Sequence, residues 1–186
     1  MAMESTRRLF TVSDYYRMGE AGVIGPDERV ELLEGEILRM NPIGPRHANC
    51  VDRLNYLFVT KLGERVSVRV QNPVRLGELS EVQPDVALVR RHRDVEVHPG
   101  PSDVVLLIEV ADTSVAFDRQ VKLPLYARAG VPEVWIVDLP AAAVEVYREP
   151  GVTGYSASSR LAAGDTIGPA AFPDVRFPVR EFLDQG

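Results

Sequence analysis

The sequence predicts an α/β fold: a mixed β-sheet flanked by helices, with an N-terminal hairpin extension. Three observations carry this expectation. "DVVLLIEVADTS" (103–114) and "EVWIVD" (133–138) are apolar, strand-like runs separated by the helical stretch "SVAFDRQVKLPLYARAG", the order of a parallel crossover. "VSVRV" (66–70) alternates as a half-buried strand does, and "QPDVALV" (83–89) follows as its hairpin partner. From His47 to Leu62, the residues Cys50, Val51, Leu54, Leu57, Phe58 and Leu62 recur at helical intervals.

The remaining elements follow in order. "TVSDYYRMGEAG" predicts a short helix capped by Thr11 or Ser13 and ended near Gly19. "RVELLEGEILRM" predicts two short strands turning at Glu34-Gly35, and "NPIGPR" a loop. Residues 90–102, with "RRHRD" and "HPGP", form a charged, proline-rich loop. Gly130 stops the crossover helix, whereas Pro124 interrupts it, so that helix is either kinked or regular only from about residue 120. "AVEVYRE" alternates as a further strand, and the Gly-, Pro- and Ser-rich remainder predicts short edge strands. Residues 1–186 are expected to be one domain, with a core over about 28–150 and a C-terminal extension over 151–186.

At 45% hydrophobic and 26% charged residues, the chain suits a globular protein with a real core. No apolar run approaches the roughly 18 residues that span a bilayer. "MAMESTRRLF" lacks the apolar run of a signal peptide, and the lone Cys50 suits a reducing compartment, so a cytoplasmic protein without a membrane partner is expected. A net charge of −6 argues against a broadly basic nucleic-acid coat, although a site built from carboxylates is acidic by construction. His92 and His98 lack a second ligand pair at zinc spacing. There is no glycine-rich phosphate loop and no Gly-x-Ser-x-Gly elbow, and Ser114 has no histidine placed to activate it.

The most informative residue is Glu109, set between Ile108 and Val110 near the end of a strand that reads as buried on both faces. An unpaired carboxylate is costly there, so it needs a partner. Asp85 follows Pro84, which favours a strand start, on the adjacent predicted strand. Two carboxylates on neighbouring strands can converge on one hard cation, with oxygen ligands at about 2.1 Å for magnesium. Lys122, on the next helix, would neutralise negative charge nearby. The competing reading of Lys122 is a solvated stripe with Asp118 and Tyr126, at i, i+4 and i+8. Glu31 faces away from Val30 and Leu32, which suits either a third site acid or a surface glutamate. Gln83 shares a face with Asp85 and would meet a phosphate or a water, and "RRHRD" is either phosphate-contacting or simply solvated. Trp135 and Tyr126 read as core residues.

Asp85 in "QPDVALV", Glu109 in "LLIEVADTS" and Lys122 in "FDRQVKLPLYARAGVPEVWIVD" together resemble the bacterial Uma-two family, within the PD-(D/E)XK nuclease superfamily. "RVELLEGEI" and "PRHANCVDRL" are similar to its N-terminal pattern, so the resemblance covers about residues 10–150. It implies a restriction-endonuclease-like fold, with a four-stranded mixed sheet between helices, and magnesium-dependent cleavage of phosphodiesters, with manganese as the alternative ion. The expected partner is DNA; a homodimer stays open. Metal ligands would be Asp85, Glu109 and the main-chain carbonyl of Val110, with Lys122, Glu31 and His47 completing the catalytic set. For His47, a core or helix-start histidine is the competing reading. The superfamily usually keeps its lysine two residues after the glutamate, where this chain has Ala111, so Lys122 would be a migrated replacement. The alternative function is a catalytically inert module that keeps the fold to bind nucleic acid or protein.

Overall fold

The structure, a computed structural model, describes residues 7–91 and 96–183. Most of the predicted loop segment "RRHRD", including His92, therefore lies outside the described residues. Helix α1 (Val12–Glu20) begins with a capping box: the Asp14 N–H donates to Thr11 Oγ1 at 3.1 Å, and the Thr11 N–H donates to Asp14 Oδ2 at 3.0 Å. Thr11, rather than Ser13, is the cap. Strands β1 (Val30–Leu33) and β2 (Glu36–Arg39) form the predicted hairpin, with Glu34 (φ 48) and Gly35 (φ 82) both left-handed at its turn. A Cβ on Gly35 would lie 2.5 Å from that of Leu9, so both the turn and the packing require glycine. Helix α2 (Pro45–Leu62) starts ahead of the predicted His47, because Pro45 is pre-set for a first helical turn.

Next come β3 (Ser67–Val70), the short strands β4 (Val74–Arg75) and β5 (Glu81–Val82), and β6 (Val86–Val89). The apolar strand β7 (Val104–Ala111) is buried along its whole length. The crossover holds α3 (Val115–Phe117), a π-helical turn (Asp118–Lys122) and α4 (Leu123–Ala129), which Gly130 ends at φ 81. After it come β8 (Glu133–Asp138), the long pair β9 (Ala143–Gly151) and β10 (Gly154–Ala162), then β11 (Thr166–Ile167), β12 (Phe177–Pro178) and α5 (Arg180–Leu183).

Six strands build the large sheet in the order β10-β9-β8-β7-β6-β3, where β7 and β8 run parallel and the other neighbours antiparallel. The four-stranded mixed sheet implied by the resemblance is its β3-β6-β7-β8 part, extended by β9 and β10. A second sheet, β2-β1-β5-β4, contains the N-terminal hairpin. The predicted β3–β6 pairing is present, but the chain leaves it to make β4 and β5 before returning. It changes sheets at Gln83–Asp85, where Pro84 has no N–H to leave unpaired.

Each face of the large sheet is covered. Leu106, Ile108 and Val110 pack with Leu54 and Phe58 of α2, while Leu107 packs with Leu125 and Tyr126 of α4. By alternation Glu109 shares the α4 face with Leu107. The C-terminal segment contributes more than the short edge strands expected of it. β10 pairs along β9 over nine residues, and Phe177 and Phe182 enter the core beside α2. Phe177 meets Phe58 edge-on with ring centroids 5.0 Å apart, and Phe182 lies 6.2 Å from Trp135. Among the described residues no helix is long and apolar enough to cross a membrane.

Since Phe177 is fully buried between α2 and α5, Phe177→Ala should cost about 3–5 kcal/mol of stability. Urea unfolding of the full chain measures this; a loss below about 1 kcal/mol would show the segment to be dispensable to the core.

Candidate active site and metal centre

The site is built where the chain changes sheets. Extending the Val86↔Ile108 register by one residue sets Asp85 opposite Glu109, so the two carboxylates leave neighbouring strands on one face. Asp85 stands just before β6 rather than within it. This freedom lets its Oδ2 accept from the Val110 N–H at 2.9 Å, in place of a further rung of strand pairing. Gln71 leaves β3 with φ 50, uncommon for a residue with a side chain, and its Nε2 donates to Asp85 Oδ1 at 3.2 Å. His47, in the first turn of α2, has Nε2 3.0 Å from Asp85 Oδ2, while its Nδ1 is buried without a hydrogen-bond partner.

Lys122 reaches the same place from the crossover. The Leu123 N–H donates to the Asp118 carbonyl, a step of five residues instead of four. This π-helical turn stands immediately ahead of Pro124, which has no N–H to offer the Gln120 carbonyl; the interruption expected from Pro124 takes this form. Asp118 and Lys122, at either end of the turn, are both buried. Lys122 Nζ lies 3.2 Å from Glu109 Oε1 and 3.1 Å from Glu31 Oε2. Tyr126, one turn on, donates its hydroxyl hydrogen to Glu109 Oε1. Glu31 Oε1 in turn accepts the Gln83 N–H at 2.7 Å, bracing the sheet change. Ser114 Oγ donates to Asp118 Oδ2 at 2.6 Å.

All five sequence-predicted side chains, Glu31, His47, Asp85, Glu109 and Lys122, therefore line one cavity of about 580 Å³, and Val110 forms part of its wall. Two readings of the sequence are corrected, and the core reading of Tyr126 holds and is extended. Lys122 and Asp118 do not form a solvated stripe, because their shared face is turned inward and both are buried. Tyr126 is a core residue that also holds Glu109. Gln83 lines the cavity, but its amide is engaged structurally, with Nε2 donating to the Val30 carbonyl at 3.3 Å. Sequence reasoning missed Gln71, Asp118 and the Tyr126 contact. Only Asp118 and Tyr126 carried a signal, since their spacing from Lys122 was visible.

The electrostatics are those of too many acids for one lysine. Burial pushes the Glu109 carboxyl up to about 8, against the opposing pull of Lys122 and with further push from Asp118 and Asp85. Burial also raises Asp118. For Lys122 burial pulls downward, but Glu109, Glu31 and Asp118 outweigh it and the ammonium is held well above its ordinary value. Among the described residues no cluster of three or more His, Cys, Asp or Glu groups is spaced to hold a metal. The donor chemistry nonetheless suits a hard cation: Asp85 and Glu109 offer carboxylate oxygens, and the excess of buried acid lacks a counter-charge.

The Glu109 shift has a signed consequence. Its folded value, about 8, lies above the ordinary 4.5, so between them the folded chain holds a proton that the unfolded chain has lost. Stability should therefore fall as pH rises through that window. In chelator, urea unfolding of the wild type should lose about 2 kcal/mol between about pH 6 and about pH 8.5, and Glu109→Gln should flatten the dependence. An unchanged slope in the variant would assign it to another group.

Comparison with known proteins agrees with this architecture. None of the curated proteins compared matches the sequence. Among solved structures, a putative nuclease belonging to DUF820 from Anabaena variabilis superposes with a TM-score of 0.70, covering 94% of this chain and 97% of its own. At 13% identity that likeness shows the fold, which is the restriction-endonuclease-like α/β arrangement. The Uma2 family model, described as "Putative restriction endonuclease", matches residues 12–180, and the chain thus belongs to the Uma2 family of nuclease-like proteins.

Proposed function

We propose that the protein is a magnesium-dependent DNA endonuclease hydrolysing phosphodiester bonds. The observation that carries this reading is the convergence of Asp85, Glu109 and Lys122 in one cavity, with Lys122 3.2 Å from Glu109 despite coming from a different element. Membership of a nuclease family supports it. Asp85, Glu109 and the Val110 carbonyl would hold the ion, magnesium or in its place manganese. When bound, it supplies Lewis-acid stabilisation of the charge that builds on the phosphate.

The chain's own residues do the rest. His47 and Gln71 fix the orientation of Asp85, and Tyr126 fixes Glu109. Glu31 holds Lys122 from the far side at 3.1 Å, so the ammonium stays aimed at the cavity. Lys122 Nζ has donors to orient a water for in-line attack and to counter negative charge on the non-bridging oxygens. Water oxygen bonds to phosphorus as the bond to the 3′ oxygen breaks. The water gives up a proton, the departing oxygen takes one, and a 5′-phosphate remains.

Calorimetry should show magnesium binding that is lost in Asp85→Asn, and magnesium should support cleavage of plasmid DNA by the wild type. Binding without cleavage of any DNA would favour the inert binding module, and cleavage only of small phosphodiesters would favour a small-molecule hydrolase. Lys122→Met should lower cleavage by at least about 10²-fold. In chelator it should also cost about 3–5 kcal/mol, because two buried carboxylates lose their ammonium. Added magnesium should recover much of that stability, read as a rise in the urea midpoint. Full cleavage by Lys122→Met would remove the lysine from the reaction.

A further inference from the structure

Arg29 immediately precedes β1, and the Met40 N–H donates to its carbonyl at 2.9 Å, closing the open end of the β1–β2 hairpin. Period-two alternation gives Arg29 the same face as Glu31, about 7 Å farther along the strand. Both residues line the cavity. Arg29 is half-buried, yet its guanidinium has no ion pair or side-chain hydrogen bond among the described residues. Its neighbours differ in this respect. Arg39 is bound to Glu28 at 2.5 Å, and Arg46 to Asp112 at 3.2 Å.

A partly buried guanidinium that lines the cavity without a protein anion is available to a fixed oxyanion, with which it forms charge-assisted hydrogen bonds. Its planar fork matches two phosphate oxygens. The need for such a group is also electrostatic. The chain carries a net charge of −6, and Glu31, Asp85, Glu109 and Asp118 add their acids to the cavity itself, so a phosphate chain entering there meets repulsion. Arg29 places positive charge along the cavity from the acids.

We infer that Arg29 is a phosphate anchor, binding a non-bridging oxygen pair on the phosphate next to the one cleaved. It thereby sets which phosphodiester reaches Asp85 and Glu109. This rests on the nuclease reading for its substrate, but not for its anion chemistry. Arg29 is a specificity-determining residue rather than part of the reacting centre, so its loss acts on binding more than on turnover.

The test uses the full chain with calcium in place of magnesium, and a fluorescent oligonucleotide, single-stranded and duplex, titrated over a range of salt. Arg29→Gln should weaken binding about 5- to 20-fold near 0.1 M salt and reduce the slope of log affinity against log salt by about one. Arg29→Lys should restore the slope, because it keeps the charge. Arg65→Gln, which removes an exposed guanidinium paired with Asp174 elsewhere, should leave the slope unchanged. In the cleavage assay Arg29→Gln should raise KM more than it lowers kcat. In parallel, inorganic phosphate at tens of millimolar should raise the thermal midpoint of the wild type and not that of Arg29→Gln. Wild-type affinity and slope in Arg29→Gln, with equal phosphate stabilisation, would overturn the inference. A wild type that ignores oligonucleotides but keeps an Arg29-dependent phosphate effect would sustain the anchor and remove DNA as its substrate. A wild type that responds to neither probe would overturn both.

Discussion

The buried ammonium of Lys122, held between Glu31 and Glu109, is the constraint on which the arrangement depends. Glu31 belongs to the small sheet and Glu109 to the large one, while Lys122 comes from the crossover between β7 and β8. One side chain therefore ties three separately built parts to a single point. All three residues are almost wholly excluded from water, so none can be exchanged for solvent without reopening the junction. The hydrophobic faces on either side of the large sheet bring these parts near one another. The ion triad decides their relative setting.

Such a triad is a poor way to gain stability, since desolvating charges costs about as much as their attraction returns. Apolar residues of similar size would hold the junction at least as well. In the proposed function, the excess of acid over base would serve a positive ligand, with the lysine keeping the carboxylates oriented and apart from bulk water. Tyr126 and His47 serve the same end, each donating to or facing a carboxylate that strand geometry alone would leave free to turn. A site held by this many partners has its carboxylates oriented in advance, which the proposed reaction would require.

Much of this was legible in the residues. Glu109 stood out because its apolar neighbours left few ordinary explanations beyond a structural salt bridge, and the strand–helix–strand order placed Lys122 where a helix returns across the strand end. Period-two reasoning also put Glu31 on the face opposite to Val30 and Leu32, though not which of two environments that face would meet. What stayed hidden was set by non-local geometry. The spacing of Asp118 from Lys122 put the two on one helix face, but not whether that face would meet solvent or the sheet. Gln71 is reached only through a left-handed residue after β3. The C-terminal aromatics were masked by surrounding glycine, proline and serine, although Phe177 and Phe182 pack as tightly as any residue of the central strands.

The π-helical turn is, in angular terms, a phase insertion. Each residue of an α-helix advances the azimuth by about 100°, so one surplus residue lets α4 present Tyr126 toward Glu109 while Lys122 and Asp118, upstream, still face the cavity. A chain with one residue fewer between Phe117 and Leu123 would have a mis-indexed site. Either the lysine or the tyrosine would swing off the shared carboxylate by about a quarter of a revolution. Length, more than composition, is thus the quantity this segment has to keep. Substitutions on its outer surface, at Val121 for example, are compatible with function in a way that no single-residue deletion there is.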